Sequence, residues 1–311
     1  MTIAERLRFS PSAGNVIRRP GGSGYGYWVG GHKVSYDATT ETFVLFYRTR
    51  APLEHGRGGR CAVAVSDDGI TFNDVWLATK DELDASSIEV GHCLRGLDGS
   101  WRLYVSYERA GTATWRIDVL EGTDPAQLDT QGRRTALSPS DFGLPWIKDP
   151  FVVVRDGTYW LYAAVPGRTP PQVDGNVVHA APEDATVVAT SDDGRYFPKI
   201  EYVFEAPADD SWHGRRARLN SVFPLDDGWV ATYDGGRTFY DNYEEWAGLA
   251  TSPDGKQWAR IATEAGPWVR SPHGCVRYVY GLPHQDRILF YYEYTLPDGS
   301  HDLRVSVVRP A

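Results

Sequence analysis

The chain has little cysteine and methionine and no long apolar run. Among its 311 residues are three cysteines and one methionine. Cys61, Cys93 and Cys275 are odd in number and lie in apolar, strand-like runs, so we expect buried free thiols rather than a disulfide framework. No stretch approaches the roughly 20 apolar residues of a membrane-spanning helix, and the first residues lack an apolar signal core. We therefore predict a cytoplasmic protein with no membrane partner.

Basic blocks and cofactor-binding motifs are also missing. The formal net charge is −9, which makes nucleic acid an unfavourable partner. The sequence contains no Ser-His-Asp signature, no GxGxxG, no P-loop and no Cys/His metal spacing. We predict no cofactor, although a metal ion in a central channel is left open, as is the oligomeric state.

Aromatic residues, glycine and proline are abundant instead. The chain has 11 Trp, 18 Tyr, 32 Gly and 20 Pro, and no long window shows a helical period. The segment 146–165, WIKDPFVVVRDGTYWLYAAV, contains two β-rich runs around Asp156-Gly157, a favoured hairpin turn. Because Pro150 is tolerated only at an edge or at the start of a strand, Asp149 should lie where the strand begins.

This hairpin belongs to a repeat. Five such hairpins follow one another with turns roughly 57 to 71 residues apart, a spacing typical of propeller blades with added loops. Their predicted turns lie near Thr39, Asp98-Gly99, Asp156-Gly157, Asp227-Gly228 and Pro283.

A second motif falls in phase with the hairpins. A strand, a Ser-x-Asp-Gly turn and an aromatic residue recur at 62–72, 187–197 and 248–258. Together the two signals predict an all-β fold in a single domain, residues 1–311: a five-bladed β-propeller with four antiparallel strands per blade. The last blade lacks a fourth strand, so we expect the segment Asn15 to Arg18 to supply it and close the ring. A sandwich with accidental regularity is the alternative.

The start of each innermost strand should face the propeller axis. We call the position equivalent to Asp149 the slot. Alignment of the repeats assigns the slots to His32 or a neighbouring glycine, Glu89, Asp149, Asn220 and His273. A ring of polar groups at one end of a packed channel predicts a pocket floor.

Glu89 and Asp149 are the two acids among these slots. Paired carboxylates can divide the labour of glycosidic bond cleavage, one as acid and the other as base or nucleophile. We predict that both are catalytic and that His273 supports one of them as proton donor. The alternative is that all three are structural channel residues.

Further residues are candidates for substrate binding. Asn220 and Arg218 suit hydroxyl recognition, Lys148 can pair with Asp149, and aromatic rings can stack on sugars or pack between blades. The predicted substrate-binding residues are Asn220, Arg218, His32, Trp28, Trp146, Lys148, His213 and Tyr240. We expect His92 to be structural, Glu108, Asp234 and Glu293 to lie away from the axis, and Glu245 to be solvated.

These features resemble the five-bladed β-propeller glycosidases, which include glycoside hydrolase family 43 and the invertase-like and mannoside phosphorylase families. The shared features are Asp149-Pro150, the return strand Tyr159 to Tyr162, the Ser-x-Asp-Gly turns and the segment Asn15 to Ile17. The resemblance implies a furanoside or pyranoside substrate and a first-blade Asp as base or nucleophile. It also implies a second-blade Asp that tunes the first and a third-blade Glu as acid.

The sequence departs from that pattern. Gly30-Gly31-His32 stands where the first Asp is implied, and Glu89 and Asp149 reverse the acid types of the next two blades. We predict a glycoside hydrolase-like enzyme that acts on a small carbohydrate. One alternative is a non-catalytic carbohydrate-binding propeller. Another is a sialidase-like propeller, since Ser66 to Phe72 resembles an Asp-box; a three-arginine carboxylate clamp would favour it.

Overall fold

β-strands make up most of the regular secondary structure of the described residues. The computed structural model describes residues 1–168, 172–173, 176–177, 184–237, 245–263 and 266–310. The one α-helix among these residues, Ile3–Arg6, is a single capped turn. In it the Thr2 hydroxyl accepts from the Glu5 amide and the Glu5 carboxylate accepts from the Thr2 amide. Within the residues described, no helix is both long and apolar enough to cross a membrane.

The strands fall into five consecutive antiparallel groups. A short strand, β1 (Asn15–Arg18), precedes them. The first group holds β2 (Trp28–Asp37), β3 (Thr42–Arg50), β4 (Arg60–Ser66) and β5 (Asn73–Thr79), and the second holds β6 (Ala85–Arg95), β7 (Trp101–Arg109), β8 (Thr114–Gly122) and β9 (Arg134–Leu137). The third holds β10 (Lys148–Arg155), β11 (Thr158–Pro166), β14 (Asp184–Ser191) and β15 (Ile200–Phe204), with a separate pair, β12 (Gln172–Val173) and β13 (Asn176–Val177), inserted in the chain. The fourth holds β16 (Arg218–Leu225), β17 (Gly228–Gly235), β18 (Trp246–Ser252) and β19 (Ala259–Arg260), and the fifth holds β20 (Val276–His284), β21 (Arg287–Thr295) and β22 (His301–Val308).

The N-terminal strand completes the fifth group. β1 pairs antiparallel with β22, so that Asn15 lies opposite Val305 and Arg18 opposite Leu303. The predicted pairing of this segment with the last strand is therefore confirmed. It covers an edge that would otherwise expose unpaired backbone groups.

The first strands of the groups contact one another in succession. β2 contacts β6, β6 contacts β10, β10 contacts β16, β16 contacts β20, and β20 contacts β2. Single parallel pairings, Trp28 with His301 and Trp246 with Val276, also connect the first, fourth and fifth groups into one 12-stranded sheet.

Two hairpin turns lie slightly away from their predicted positions. The third hairpin turns at Asp156 and Gly157, both at positive φ, as the Asp-Gly pair predicts. In the fourth, however, Gly228 already pairs with Leu225, so the turn is formed by residues 226 and 227. In the fifth, His284 pairs with Arg287, which moves the turn two residues beyond Pro283.

The Ser-x-Asp-Gly turns link neighbouring groups. In the first turn the Ser66 hydroxyl accepts from the Gly69 amide, and the Asp68 carboxylate accepts from the amides two and three residues later. Tyr291 of the fifth group donates its hydroxyl to the Gly69 carbonyl at 2.8 Å. The same bond joins Tyr104 to Gly194 (2.6 Å) and Tyr162 to Gly255 (2.9 Å). The three turns thus have equivalent partners, which confirms the phase of the repeat.

The three cysteines are free and buried, as expected. Burial raises the pKa of each thiol. Cys61 and Cys93 lie in one apolar cluster, so their role is packing rather than cross-linking. Cys275 Sγ instead lies 3.1 Å from the Thr295 hydroxyl and 3.7 Å from His301 Nε2.

Candidate active site

Every first strand has an irregular register near its start. In the third group Lys148 pairs with Ala164 and Phe151 with Tyr162, so Asp149 and Pro150 face a single residue of the second strand. This is a β-bulge, a device that re-aims side chains. The corresponding breaks in register identify the five slots as Gly31, Glu89, Asp149, Asn220 and Tyr278.

The structure corrects the fifth slot. His273 lies in an exposed turn, bridged by Ser271 and Gly274, and its amide donates to the Ser271 hydroxyl at 3.1 Å. Tyr278 occupies the slot five residues later. The sequence alignment was wrong because it took the start of the strand-like residues, directly after Gly274, as the slot. The slot lies in the bulge, and the bulge comes later, after Arg277. Nothing among the described contacts joins His273 to Glu89 or Asp149, so His273 is not positioned to act on either carboxylate.

Glu89 is buried and held by two arginines. Its carboxylate oxygens lie 3.4 Å from Arg48 Nε and 3.2 Å from Arg50 Nη1. Burial raises the pKa of Glu89, but Arg50 and Arg48 outweigh it and lower the pKa to about 2. Glu89 is therefore an anion at neutral pH and not a proton donor.

Asp149 is also buried, and one of its oxygens is uncommitted. Its φ of 58° places it in the left-handed region, where Asp is one of the few tolerated side chains. Arg218 Nη1 donates to Oδ2 at 2.9 Å, and the Asp149 amide donates to the Ser106 hydroxyl at 3.1 Å. Oδ1 has no hydrogen-bond partner among the residues that the structure describes. It is thus a buried acceptor available to a ligand.

Arginines and carboxylates alternate through the buried site. Arg218 donates to Asp234 at 2.9 Å and to Glu245 at 3.0 Å. Arg277 donates to Glu245 and to Glu293, both at 2.9 Å. The Glu293 carboxylate lies 3.4 Å from Arg48, which leads back to Glu89. The order is Glu89, Arg48, Glu293, Arg277, Glu245, Arg218 and Asp149, and we call this set the ion chain.

Three members of this site contradict the sequence-based expectation. Asp234 and Glu293 were expected away from the axis and Glu245 in solvent, yet all three are at most 1% exposed. The reason is cross-strand pairing: Asp234 lies opposite Arg218 and Glu293 opposite Arg277, one or two residues before the slots. The sequence signal that could have identified them is an Arg just before a slot that pairs across the hairpin with an acidic residue. Burial, together with nearby Glu245, raises the pKa of Asp234 against the opposing effect of Arg218.

The first slot has no room for a carboxylate. Gly31 has φ 57°, and a Cβ there would approach Arg48 Cγ at 3.0 Å. A Cβ on Gly30 would lie 2.1 Å from Glu293 Cγ. The Gly31 amide donates to Glu293 Oε1 at 2.8 Å. Arg48 and Glu293 therefore fill the space of the implied first Asp.

The two histidines near the slots are neutral and buried. Burial lowers the pKa of His32 and of His92 to about 3. His92 Nδ1 accepts from the Val152 amide at 3.0 Å, which links the second and third groups and is consistent with a structural role. His32 is 0% exposed, which gives a substrate no access to its ring.

The remaining substrate-binding candidates divide into buried and peripheral residues. Asn220 is buried, and its carbonyl accepts from the buried Lys33 ammonium at 2.8 Å. Trp28 is buried as well: His301 stacks on it at 4.9 Å, and the guanidinium carbons of Arg277 and Arg50 lie 5.0 and 5.3 Å from its ring centroid. Its faces are already covered.

Lys148 and Trp146 are half-buried and lie at the edge of the site. Lys148 Nζ is 5.4 Å from the Trp146 ring centroid and 5.6 Å from that of Trp115, and its charge helps to lower the pKa of Glu89. His213 lies in the loop before the fourth group, where its Nδ1 is 2.9 Å from the Tyr233 hydroxyl. Tyr240 lies outside the described residues.

No group of three or more His, Cys, Asp or Glu side chains could hold a metal ion in the part of the chain that the structure describes. The carboxylates of the site instead face guanidinium groups, which neutralise them.

Sequence comparison gives no relatives: no family model matches the chain, and no curated protein matches it. Comparison with solved structures does find similar proteins. A structure named simply as a glycoside hydrolase has a TM-score of 0.69 at 11% identity, covering 100% of this chain and 96% of its own length. A GH43_1 enzyme from Xanthomonas citri has a TM-score of 0.66 at 14% identity, with 94% and 90% covered.

A thermostable family-43 glycoside hydrolase gives a TM-score of 0.64 at 12% identity, with 94% and 91% covered. The Xanthomonas citri enzyme is also similar in its complex with xylotriose, at a TM-score of 0.66. These identities are too low to carry an activity, so the comparison is one of architecture. The chain has the all-β fold of the family 43 glycoside hydrolases over nearly its whole length.

Proposed function

We propose that the five strand groups are the blades of a single-domain, five-bladed β-propeller, with β1 closing the ring. The cyclic contacts among the five first strands support this arrangement. The equivalent tyrosine bonds from one group to the turn of the next support the same order. The slots then lie around one axis.

Within that ring, the proposed function is cleavage of a glycosidic bond in a small glycoside or oligosaccharide. The observation that carries it is the placement of two buried carboxylates, Glu89 and Asp149, in the same bulge slot of consecutive groups. A bulge is a common way to aim a side chain at an active site. Most glycoside hydrolases use a pair of carboxyl groups that flank the scissile bond.

The two carboxylates suit different tasks. Glu89 keeps its negative charge because of Arg48 and Arg50, so it is suited to stabilising positive charge on the sugar ring in the transition state. Asp149 has an oxygen without a partner and is the group that can exchange a proton with a reacting oxygen. Arg218 orients Asp149 through its other oxygen.

Carbohydrate binding without turnover is the second candidate. Two observations favour it. Gly31 stands in the slot where the resemblance implies a base, and Arg48 fills the space that the base would need. The sialidase-like alternative gains less support. Three arginines do lie around one side chain, the Tyr278 ring: Arg48, Arg218 and Arg277. Each of them, however, is ion-paired with a carboxylate of the chain itself.

The test is a panel of nitrophenyl glycosides and short oligosaccharides, including xylosides and arabinofuranosides, with product analysis by chromatography. Asp149→Asn, purified identically, controls for a contaminating glycosidase. We expect the native protein to release sugar from at least one substrate and the variant to release it at least about a hundredfold more slowly. Saturable sugar binding with no product from any substrate would favour the binding protein instead.

The cytoplasmic location stays a proposal. The three free, buried thiols are consistent with it, because disulfides are uncommon in reducing compartments.

A further inference from the structure

Tyr278 occupies the same structural position as the two carboxylates. Arg277 pairs with Glu293 and Tyr280 with Tyr291, so Tyr278 lies in the bulge of the fifth group as Asp149 does in the third. Its φ of 52° is close to the 58° of Asp149 and the 57° of Gly31. A bulky aromatic residue is rarely found in this conformation, and such outliers concentrate at functional sites.

The ring is fixed among the arginines of the ion chain. The guanidinium carbons of Arg218, Arg277 and Arg48 lie 4.5, 5.1 and 6.0 Å from its centroid. Its amide donates to Asp234 at 3.0 Å. Arg218 therefore contacts both the Tyr278 ring and the Asp149 carboxylate, which brings the fifth and third slots to the same place.

The hydroxyl of Tyr278 is unbonded within the described part of the protein. The residue is 4% exposed, yet its hydroxyl makes no hydrogen bond to any residue that the structure describes. Asp149, 3% exposed, has an uncommitted acceptor in Oδ1. Buried polar groups nearly always have partners, so the open Asp149 Oδ1 indicates a ligand that donates to it. The unbonded Tyr278 hydroxyl, on a ring that the same Arg218 contacts, can donate to that ligand.

We propose that Tyr278 is a further substrate-contacting residue of the site, donating its phenolic hydrogen to an oxygen of the sugar. Asp149 Oδ1 accepts from a hydroxyl of the same sugar. A sugar hydroxyl both donates and accepts, so one hydroxyl or a neighbouring pair satisfies the two groups. This assignment rests on the proposed carbohydrate function and adds the fifth slot to it.

The electrostatics keep the phenol in its donor form. Burial raises the pKa of Tyr278 well above its usual value, and Asp149 and Glu89 raise it further against the opposing effects of Arg218 and Arg277. The group is consequently a neutral hydrogen-bond donor at every pH of interest and not a nucleophile.

The experiment compares Tyr278→Phe with Tyr280→Phe. Both substitutions remove one hydroxyl from β20, but Tyr280 lines a separate cavity of about 390 Å³ toward the other ends of the first strands. The probes are nitrophenyl xyloside and nitrophenyl arabinofuranoside for turnover, and xylose and arabinose for calorimetric binding. We expect Tyr278→Phe to lower kcat/KM about tenfold or more, because a site built to bond a hydroxyl depends on that bond. Tyr280→Phe should match the native protein.

Melting temperature separates a substrate role from a structural one. Since the Tyr278 hydroxyl bonds nothing in the described part of the protein, Tyr278→Phe should melt like the native chain while losing activity. Native kinetics in Tyr278→Phe, with Asp149→Asn inactive, would overturn the assignment and leave the proposed function intact.

If the native protein cleaves neither probe, its affinity for xylose and arabinose tests the assignment of Tyr278 instead. A tenfold weaker affinity in Tyr278→Phe would support the contact even though the hydrolase proposal had failed. Equal affinities, or no sugar binding by the native protein, would overturn it.

Discussion

Arg218 donates a 2.9 Å hydrogen bond to Asp149, and both side chains are almost fully buried. The bond connects the first strand of the fourth group to the slot of the third. Because Arg218 also binds Asp234 and Glu245, the position of Asp149 depends on charges from two further strands or loops. The site is therefore organised by buried ion pairs rather than by a single hairpin.

Replacing Arg218 with Met should strongly destabilise the protein. The change leaves Asp149, Asp234 and Glu245 buried without their shared counter-charge, and breaking a buried ion pair costs about 3–5 kcal/mol. The free energy of unfolding, measured in urea, is the readout. The control is Arg309→Met, which removes an exposed pair with Asp286 and should cost under about 1 kcal/mol. Equal effects of the two substitutions would contradict the importance of the ion chain.

The tyrosine bonds to the Ser-x-Asp-Gly turns should contribute additively. Tyr104→Phe, Tyr162→Phe and Tyr291→Phe each remove one buried hydrogen bond between groups and leave a carbonyl without that donor. Each should lower the free energy of unfolding by about 1 kcal/mol. Because the three bonds lie at different interfaces, the triple variant should show the sum. A triple variant no less stable than one single variant would be inconsistent with three equivalent links.

Stability should fall as the pH is lowered from about 6.5. His32, His92 and His301 are buried, and burial lowers their pKa values to about 3, 3 and 4. Their folded pKa lies below the unfolded one, so the unfolded state binds protons first and the stability is lost progressively below pH 6.5. Glu89, with a pKa lowered to about 2, adds a loss as the pH falls from about 4.5 toward 2.

The free energy of unfolding as a function of pH measures this loss. His32→Asn should flatten the slope between pH 6.5 and 4, whatever its effect on overall stability. A variant whose slope equals that of the native protein would show that His32 is not held neutral in the fold.

Much of the fold follows from local sequence signals. The Asp156-Gly157 hairpin, the repeated Ser-x-Asp-Gly turns and the missing last strand depend on turn chemistry and strand count, which are readable from the chain. Pairing of Asn15 to Arg18 with β22 was predictable for the same reason. The fifth slot was not predictable in this way, because its position depends on a bulge. A bulge inserts one extra residue, and the alternation of side chains in the sequence does not show where.

The site was harder to predict than the fold. Glu89, Asp149 and Asn220 were found because they stand at strand starts in the repeat. Asp234 and Glu293 were missed because their burial depends on arginines across the strand pair, a tertiary relationship. The sequence also did not predict that the first slot is closed, since the side chain that fills it, Arg48, comes from the neighbouring strand.

The central claim is that Glu89 and Asp149 carry the chemistry, and the rates of Asp149→Asn and Glu89→Gln on a glycoside that the native protein cleaves test it most directly. The matched control is Asp156→Asn in the same hairpin, whose side chain is 90% exposed. We predict that kcat falls about 10²–10⁴-fold or more in the two slot variants, that Asp156→Asn keeps the native rate, and that all three remain folded by thermal melting. Folded Asp149→Asn and Glu89→Gln proteins with near-native rates would contradict the account and make the carboxylate pair structural.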